Sequence, residues 1–346
     1  VILKNFPNTA PEKRLLRPEM KEQLLMKMPE SEEKFLELIP INLRQCTDGT
    51  ENRLVIPDNY KSTQDYEEGR IKHVKIAVCN SMEQSGTEKK VALDYLASLV
   101  RSQELTGASF IDVNVDEISV KLGDQKAAMS WLVNFIQEVS ELPVSIDSSN
   151  LEVIEMGLKN YRNTGIKPLL NSASLERIEA LDLAIQYEAK VVVTAAGNKG
   201  MPNGSNERVE NTSQIIEVAL NKGISLNEIY IDPLVFPISV DKEFGNHCLD
   251  AIRELRNIFG SEIHITGGMS NVSFGLPVRN LVNRAFINLA REAGADSGII
   301  DPVQLPPDKI FNVDEVSFGY ILAKDMLLGK DEYCKNYLKA WRNGEL

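Results

Sequence analysis

Basic residues are in deficit. Against 38 Lys and Arg stand 50 Asp and Glu, so the 346-residue chain has a formal net charge of −12. Nucleic acid is not expected as a partner, because phosphate binding needs clustered cations. The acidity is spread along the chain and reads as a solvated surface that still permits docking on a basic patch of another protein. Long apolar runs are also missing. No stretch approaches the roughly 18 residues of a membrane span, so no membrane association is expected. Val1-Ile-Leu-Lys-Asn-Phe lacks the apolar stretch and small-residue cleavage site of a secretory signal. Cysteine is scarce: Cys46, Cys79, Cys248 and Cys334 lie far apart, without a C-x-x-C pair. In a chain with 43% apolar residues, enough for a sizeable core, they read as reduced thiols of a cytoplasmic protein. His247 precedes Cys248, but no further ligands lie at suitable spacing, so no metal is expected. A Ser–His–Asp set and the G-x-G-x-x-G phosphate fingerprint are absent as well.

Residues 1–70 are rich in charge and proline (Pro7, Pro11, Pro18, Pro29, Pro40, Pro57). Met20–Met28 and Ser31–Ile39 place apolar residues at helical spacing, with Ser31 as an N-cap for the second. This segment is expected to be a mostly helical, partly irregular extension packed on a main domain spanning 71–346. From residue 71 short β-branched runs alternate with amphipathic segments. The runs are Val74–Cys79, Phe110–Val115, Val144–Ile146, Pro168–Leu170, Val191–Thr194, Ile229–Ile231, Ile263–Thr266 and Gly298–Ile300. Strands alternating with helices imply parallel strands joined by right-handed crossovers, and eight such units close into a TIM (β/α)8 barrel. Two helices, near Val313–Leu328 and Asp331–Trp341, are expected after the last strand.

In such a barrel the active site lies at the C-terminal ends of the strands. Those positions are dominated by Asp and Asn: Asn80; Asp112, Asn114 and Asp116; Asp147 to Asn150; Asn171 to Ser174; Asn198; Asp232; Asn271; and Asp301. A lone Asp or Asn there is usually a helix cap or turn former, the expected role of Asn150, Ser174 and Asp301. Asp147, Asn171, Asp232 and Asn271 would instead converge on one mouth. Carboxylates paired with amides suit a flat heterocycle that offers N–H donors beside a carbonyl acceptor, and a pterin is such a ring.

Ile146-Asp-Ser-Ser-Asn150, Asn171-Ser-Ala-Ser174, Ile231-Asp-Pro233 and Gly267-Gly-Met-Ser-Asn-Val-Ser273, in this order, resemble the pterin-binding methyltransferases. That family includes methyltetrahydrofolate:corrinoid/iron-sulfur protein methyltransferases and the folate domain of cobalamin-dependent methionine synthase. The resemblance covers roughly residues 74–310. It implies methyl transfer between methyltetrahydrofolate (or tetrahydrofolate) and the cobalt of a corrinoid, cobalamin-type, carried by a separate protein. A homodimer is implied too. Asp147, Asn171 and Asp232 would hold the pterin ring, Asp112 and Asn114 would line the site, and Asn198 matches an Asn-Lys segment of the family. Arg279 would approach the folate or its glutamate tail. Asn271 would lie near the methyl-bearing nitrogen, making it, with Asp147, the catalytic pair. No residue of the set is a strong acid, so the proton needed by that nitrogen would come from water through Asp112 or Asn114.

The family's Gly-Glu-Arg-Ile-Asn first-strand segment is replaced by Ala77-Val-Cys-Asn80, and the N-terminal extension is not part of its minimal domain. A dihydropteroate synthase-like enzyme is the first alternative, but its loop Gly-Gly-x-Ser-x-Arg-Pro-Gly and its Ser-Arg-Lys are replaced by Val115-Asp-Glu-Ile-Ser119 and Ser270-Asn-Val-Ser273. A non-catalytic pterin-binding protein is the second.

Overall fold

The computed structural model describes residues 2–4, 38–40, 53–162 and 165–346. The first half contains β1 (Ile2–Lys4), β2 (Leu38–Pro40), β3 (Arg53–Val55), α1 (Asp58–Lys61), α2 (Gln64–Glu67), α3 (His73–Glu83), α4 (Gly86–Leu105), β4 (Ile111–Asn114), α5 (Leu122–Val139), β5 (Val144–Asp147), α6 (Leu151–Asn160) and β6 (Leu169–Ala173). The second contains α7 (Ala180–Gln186), β7 (Lys190–Thr194), α8 (Ser205–Asn221), β8 (Ile229–Asp232), α9 (Phe244–Phe259), β9 (His264–Ile265), α10 (Arg279–Ala293), β10 (Ser297–Ile299), α11 (Pro307–Phe311), α12 (Phe318–Leu327) and α13 (Lys335–Arg342).

Strands β4 to β9 form one six-stranded parallel sheet in sequence order, each followed by a helix. A parallel bridge between Gly268 and Ile299 brings β10 beside β9. This is the TIM-barrel-like architecture expected from the alternation. The interior is marked by Phe110, Leu169, Val192 and Tyr230, which cluster apart from the main core with Ile299 against them. They lie on or beside β4, β6, β7, β8 and β10, as side chains facing one barrel axis must. Outside the wall the helices pack through close approaches. A Cβ on Gly245 of α9 would sit 2.0 Å from the carbonyl oxygen of Leu327 in α12, so only glycine allows those helices to touch.

The first expected βα unit is different. Val74–Cys79 lies in α3, a helix. Its buried residues Ile76, Ala77, Val78, Asn80 and Ser81 include pairs at three- and four-residue spacing, whereas Val74 is half exposed. The β-branched composition of the run favours a strand, but burial follows the helical face. Asn80 is therefore not at a strand end; its Nδ2 donates to the Val55 carbonyl at 2.7 Å and ties α3 to β3. At the far edge β10 pairs instead with β1, antiparallel.

Most of the 1–70 extension lies outside the described residues, including Met20–Met28 and Cys46. The Ser31–Ile39 stretch ends in strand rather than helix, because Leu38–Pro40 pairs with Arg53–Val55. Leu54, Ile56 and Tyr60 are buried in the main core, so the chain from β3 onward packs on the barrel. The C-terminal helices α12 and α13 follow the last strand as expected.

Candidate functional site

Strand geometry builds the site. Side chains two residues apart share a face. Asp112, Asn171, Thr194 and Asp232 each lie two positions beyond Phe110, Leu169, Val192 and Tyr230, the interior cluster. A polar layer therefore rests on an apolar floor at the C-terminal ends of the strands. Register adds Asp147, whose Cα partners are Asn114 on β4 and Asn171 on β6.

On the β4–β6 side the polar groups are wired together. Asn114 Nδ2 donates to Asp147 Oδ2 at 3.1 Å, and Asn171 Nδ2 reaches Asp112 Oδ1 at 3.4 Å. Ser145 also donates to Asp112 Oδ1. Burial and the neighbouring Asp112 charge push the Asp147 carboxyl up to about 7, with Asn114 and Arg177 pulling the other way. Burial also raises Asp116, but hydrogen bonds from the Ser148 hydroxyl and the Ser149 amide outweigh it and leave that carboxyl below its ordinary value. Asp116 thus secures the loop after β5.

Asp232 ends β8 on the other side. Its Oδ1 accepts the Leu234 amide at 2.8 Å, and a Cβ on Gly267 would come within 3.0 Å of that oxygen. Burial raises its pKa to about 6, against hydrogen bonds from the Leu234 and Gly268 amides and the Arg208 charge. Asn271 sits in the short 3-10 turn Met269–Ser273 above Gly268. Its exposed side-chain amide has no hydrogen-bond partner among the described residues.

The remaining expected residues fall outside this cluster. Asn198 is exposed in the Gly197–Gly200 turn after β7. Arg279, at the start of α10, donates to Ser273 Oγ at 3.0 Å and to the Ser270 carbonyl at 2.9 Å. It braces the turn that carries Asn271. Asn150 caps α6 through the Glu152 amide, and Asp301 accepts the Val303 amide, as expected of capping and turn residues. Ser174 stands at a helix start without a side-chain cap bond.

Sequence reasoning missed two arginines. Arg177 donates to the carbonyls of Ser148, Ser149 and Ser172, joining the loops after β5 and β6. Arg208, on the first turn of α8, is fully buried and donates to the carbonyls of Pro233 and Gly204. Neither follows a strand directly, so no local pattern marks them. Thr194 was legible in principle, by the same two-residue offset as Asp232. A cavity of about 340 Å³ between α1, α3 and α5, lined by Tyr60, Lys75, Cys79 and Asp124 and by Ile118 and Ser119 of the loop after β4, has none of these groups. No group of His, Cys, Asp and Glu suited to a metal occurs among the described residues.

Residues 76–301 match the family described as pterin binding enzymes. The chain is 32% identical over 254 residues to a methylcorrinoid:tetrahydrofolate methyltransferase of Eubacterium limosum, covering 71% of this chain and 86% of that protein. It is 29% identical over 238 residues to a methionine synthase of Mycobacterium leprae (strain TN), covering 64% of this chain but only 19% of that longer protein. Among solved structures, dihydropteroate synthase from Xanthomonas albilineans in complex with 7,8-dihydropteroate superposes with a TM-score of 0.50 at 16% identity, over 63% of this chain and 83% of that one. At that identity the likeness shows the fold alone.

Proposed function

The chain belongs to the pterin binding enzyme family, and on that premise we propose that it moves a methyl group between methyltetrahydrofolate and the cobalt of a corrinoid held by a separate protein. The observation that carries this reading is the 32% identity to the Eubacterium limosum enzyme across 86% of its length. The donor set fits the substrate. Asp147 and Asp232 are carboxylates raised by burial, and ring N–H and amino donors of a pterin would satisfy them. Asp112, Asn114 and Asn171 supply the rest of that wall, and Asn271 faces the reacting nitrogen.

The methyl group leaves a tertiary amine, a poor leaving group unless that nitrogen gains a proton. In the direction toward cobalt, the metal's electron pair forms the new Co–C bond as the N–C bond breaks, the N–C pair stays on nitrogen, and a proton supplied by water ends there. Asn271 stabilises the charge that develops there, while the two carboxylates hold the ring in line. The reverse reaction uses the same contacts.

The direct test is an anaerobic mixture with methyltetrahydrofolate and free cobalt(I) cobalamin, followed in the visible. Growth of the methylcobalamin spectrum supports the reading. Absence of both conversion and pterin binding overturns it.

Two further outcomes are expected. A ligand that donates to Asp147 favours the ionised carboxylate, so binding lowers a pKa that stands at about 7 in the free protein and releases a proton. Affinity should fall as pH drops below 7, by up to about tenfold per pH unit. Calorimetry in buffers of different ionisation enthalpy reads the proton directly; flat affinity from pH 5.5 to 8 excludes this role for Asp147. Second, a Cβ on Gly268 would come within 2.9 Å of Asn271 Nδ2, the mobile end of an exposed side chain. Gly268→Ala should change stability by under about 0.5 kcal/mol. It should still slow methyl transfer roughly ten- to a hundredfold by displacing that amide. Thermal melts and single-turnover rates on the same preparation check both halves.

A further inference from the structure

Arg208 is a cation sealed inside the protein. Its side chain is 0% exposed, and no carboxylate lies within salt-bridge distance among the described residues. Burying a guanidinium this way is costly unless its donors are satisfied. Arg208 spends them on backbone carbonyls. Nε reaches Pro233 at 2.9 Å, Nη1 reaches Gly204 at 2.9 Å, and Nη2 lies 3.5 Å from Leu234. The guanidinium carbon sits 4.7 Å from the centre of the Phe236 ring, a cation–π contact.

What these bonds hold is the turn after Asp232. Leu234 has φ +66°, the left-handed region that a leucine rarely adopts. Such a conformation persists only where the surroundings enforce it. Here it aims the Leu234 amide at Asp232 Oδ1, 2.8 Å away. Gly267 stands at the same oxygen, where a Cβ would be at 3.0 Å. Asp232 is thus held from its backbone side, leaving the barrel mouth for a ligand.

We propose that Arg208 is a positioning residue for Asp232: it locks the Pro233–Leu234 turn so that the Leu234 amide orients the carboxylate toward the pterin ring, and it places a positive charge behind that carboxylate. The orientation of Asp232 is a property of the free protein; only the identity of the ligand rests on the folate reading. The other titratable groups around the pair are Cys248 on α9, a buried thiol raised to about 12 by burial, and Glu207 on α8 beside Arg208. With Arg208 removed, no other cation among the described residues offsets the burial that already raises Asp232.

The alternative is that Arg208 only staples the loop. A double-mutant cycle separates the two. Arg208→Met should weaken methyltetrahydrofolate binding about tenfold in the parent but under about twofold in an Asp232→Asn background. In ligand-free protein labelled with ¹³C at the aspartate carboxyls, the signal lost in Asp232→Asn should titrate about one pH unit higher in Arg208→Met. Arg208→Lys should restore that titration but not the affinity, because an ammonium keeps the charge and loses the planar fork. Phe236→Leu, at a half-buried position, should shift binding and titration in the same direction by less; it keeps the test available if Arg208→Met does not fold.

Equal loss of binding on both backgrounds, or an Asp232 signal unmoved in both Arg208→Met and Phe236→Leu, overturns the proposal. If the parent binds no pterin, the folate reading fails, and the Asp232 titration still decides the role of Arg208.

Discussion

Asn271→Ala is expected to lower the rate of methyl transfer by roughly 10²–10³, the usual loss when one hydrogen-bonding group at a developing charge is removed. Its affinity for methyltetrahydrofolate should change by no more than about threefold, because this contact strengthens only as the N–C bond breaks. The structure gives the reason for the separation. The Asn271 amide is exposed and makes no hydrogen bond among the described residues, so deleting it disrupts no internal contact. The turn that carries it is braced independently, by Arg279 on the Ser270 carbonyl and on Ser273. Stopped-flow conversion of cobalt(I) cobalamin, beside calorimetric binding of the folate, measures the two quantities on one preparation. Transfer at the parent rate excludes Asn271 from the reaction.

Asp147→Asn is expected to weaken methyltetrahydrofolate binding by about 30- to 100-fold, since hydrogen bonds to a charged group are each worth roughly 1.5–3 kcal/mol. In the absence of folate the same change should stabilise the protein. Burial and the Asp112 charge raise the folded-state pKa of Asp147 from 3.8 to about 7. A carboxyl raised on folding opposes folding increasingly as pH climbs from the unfolded value to the folded one, and fully above it. At pH 8 the asparagine should therefore gain on the order of 1–2 kcal/mol, and near pH 4 nothing. Denaturant titrations at the two pH values read this, and binding reads the loss. Opposite signs for stability and affinity are what a binding site held under electrostatic strain produces. An equal stability change at both pH values would place Asp147 in an ordinary structural role.

Much of the mouth was legible because it depends on local order. Asp147, Asn171 and Asp232 end runs of apolar residues, and a buried parallel strand writes itself as such a run. The strand before each carboxylate sets its height in the barrel, so the order Ile-Asp, Leu-Asn, Ile-Asp already carries the layer. Asn150 as a cap was legible for the same reason, because a cap bond spans two residues. The run Val74–Cys79 misled because six residues with β-branched Val74, Ile76 and Val78 suit either period, and burial on Ile76, Ala77, Val78, Asn80 and Ser81 shows only against the packed core.

By itself the sequence determined the alternating α/β architecture, the family, and which polar residues crown the strands, since each follows from chain-local periodicity and motif order. Tertiary structure alone decided how those residues are held. Asn114 meets Asp147 across 33 positions, and Arg208 reaches Pro233 across 25. Arg279 turns inward to brace its own loop, while Asn80 leaves the mouth to bind Val55. Partners so far apart in the chain are chosen by strand register and helix docking. Burial then removes the water that would otherwise satisfy the same donors and carboxylates, which is why their pairing and their charge state appear only in the folded molecule.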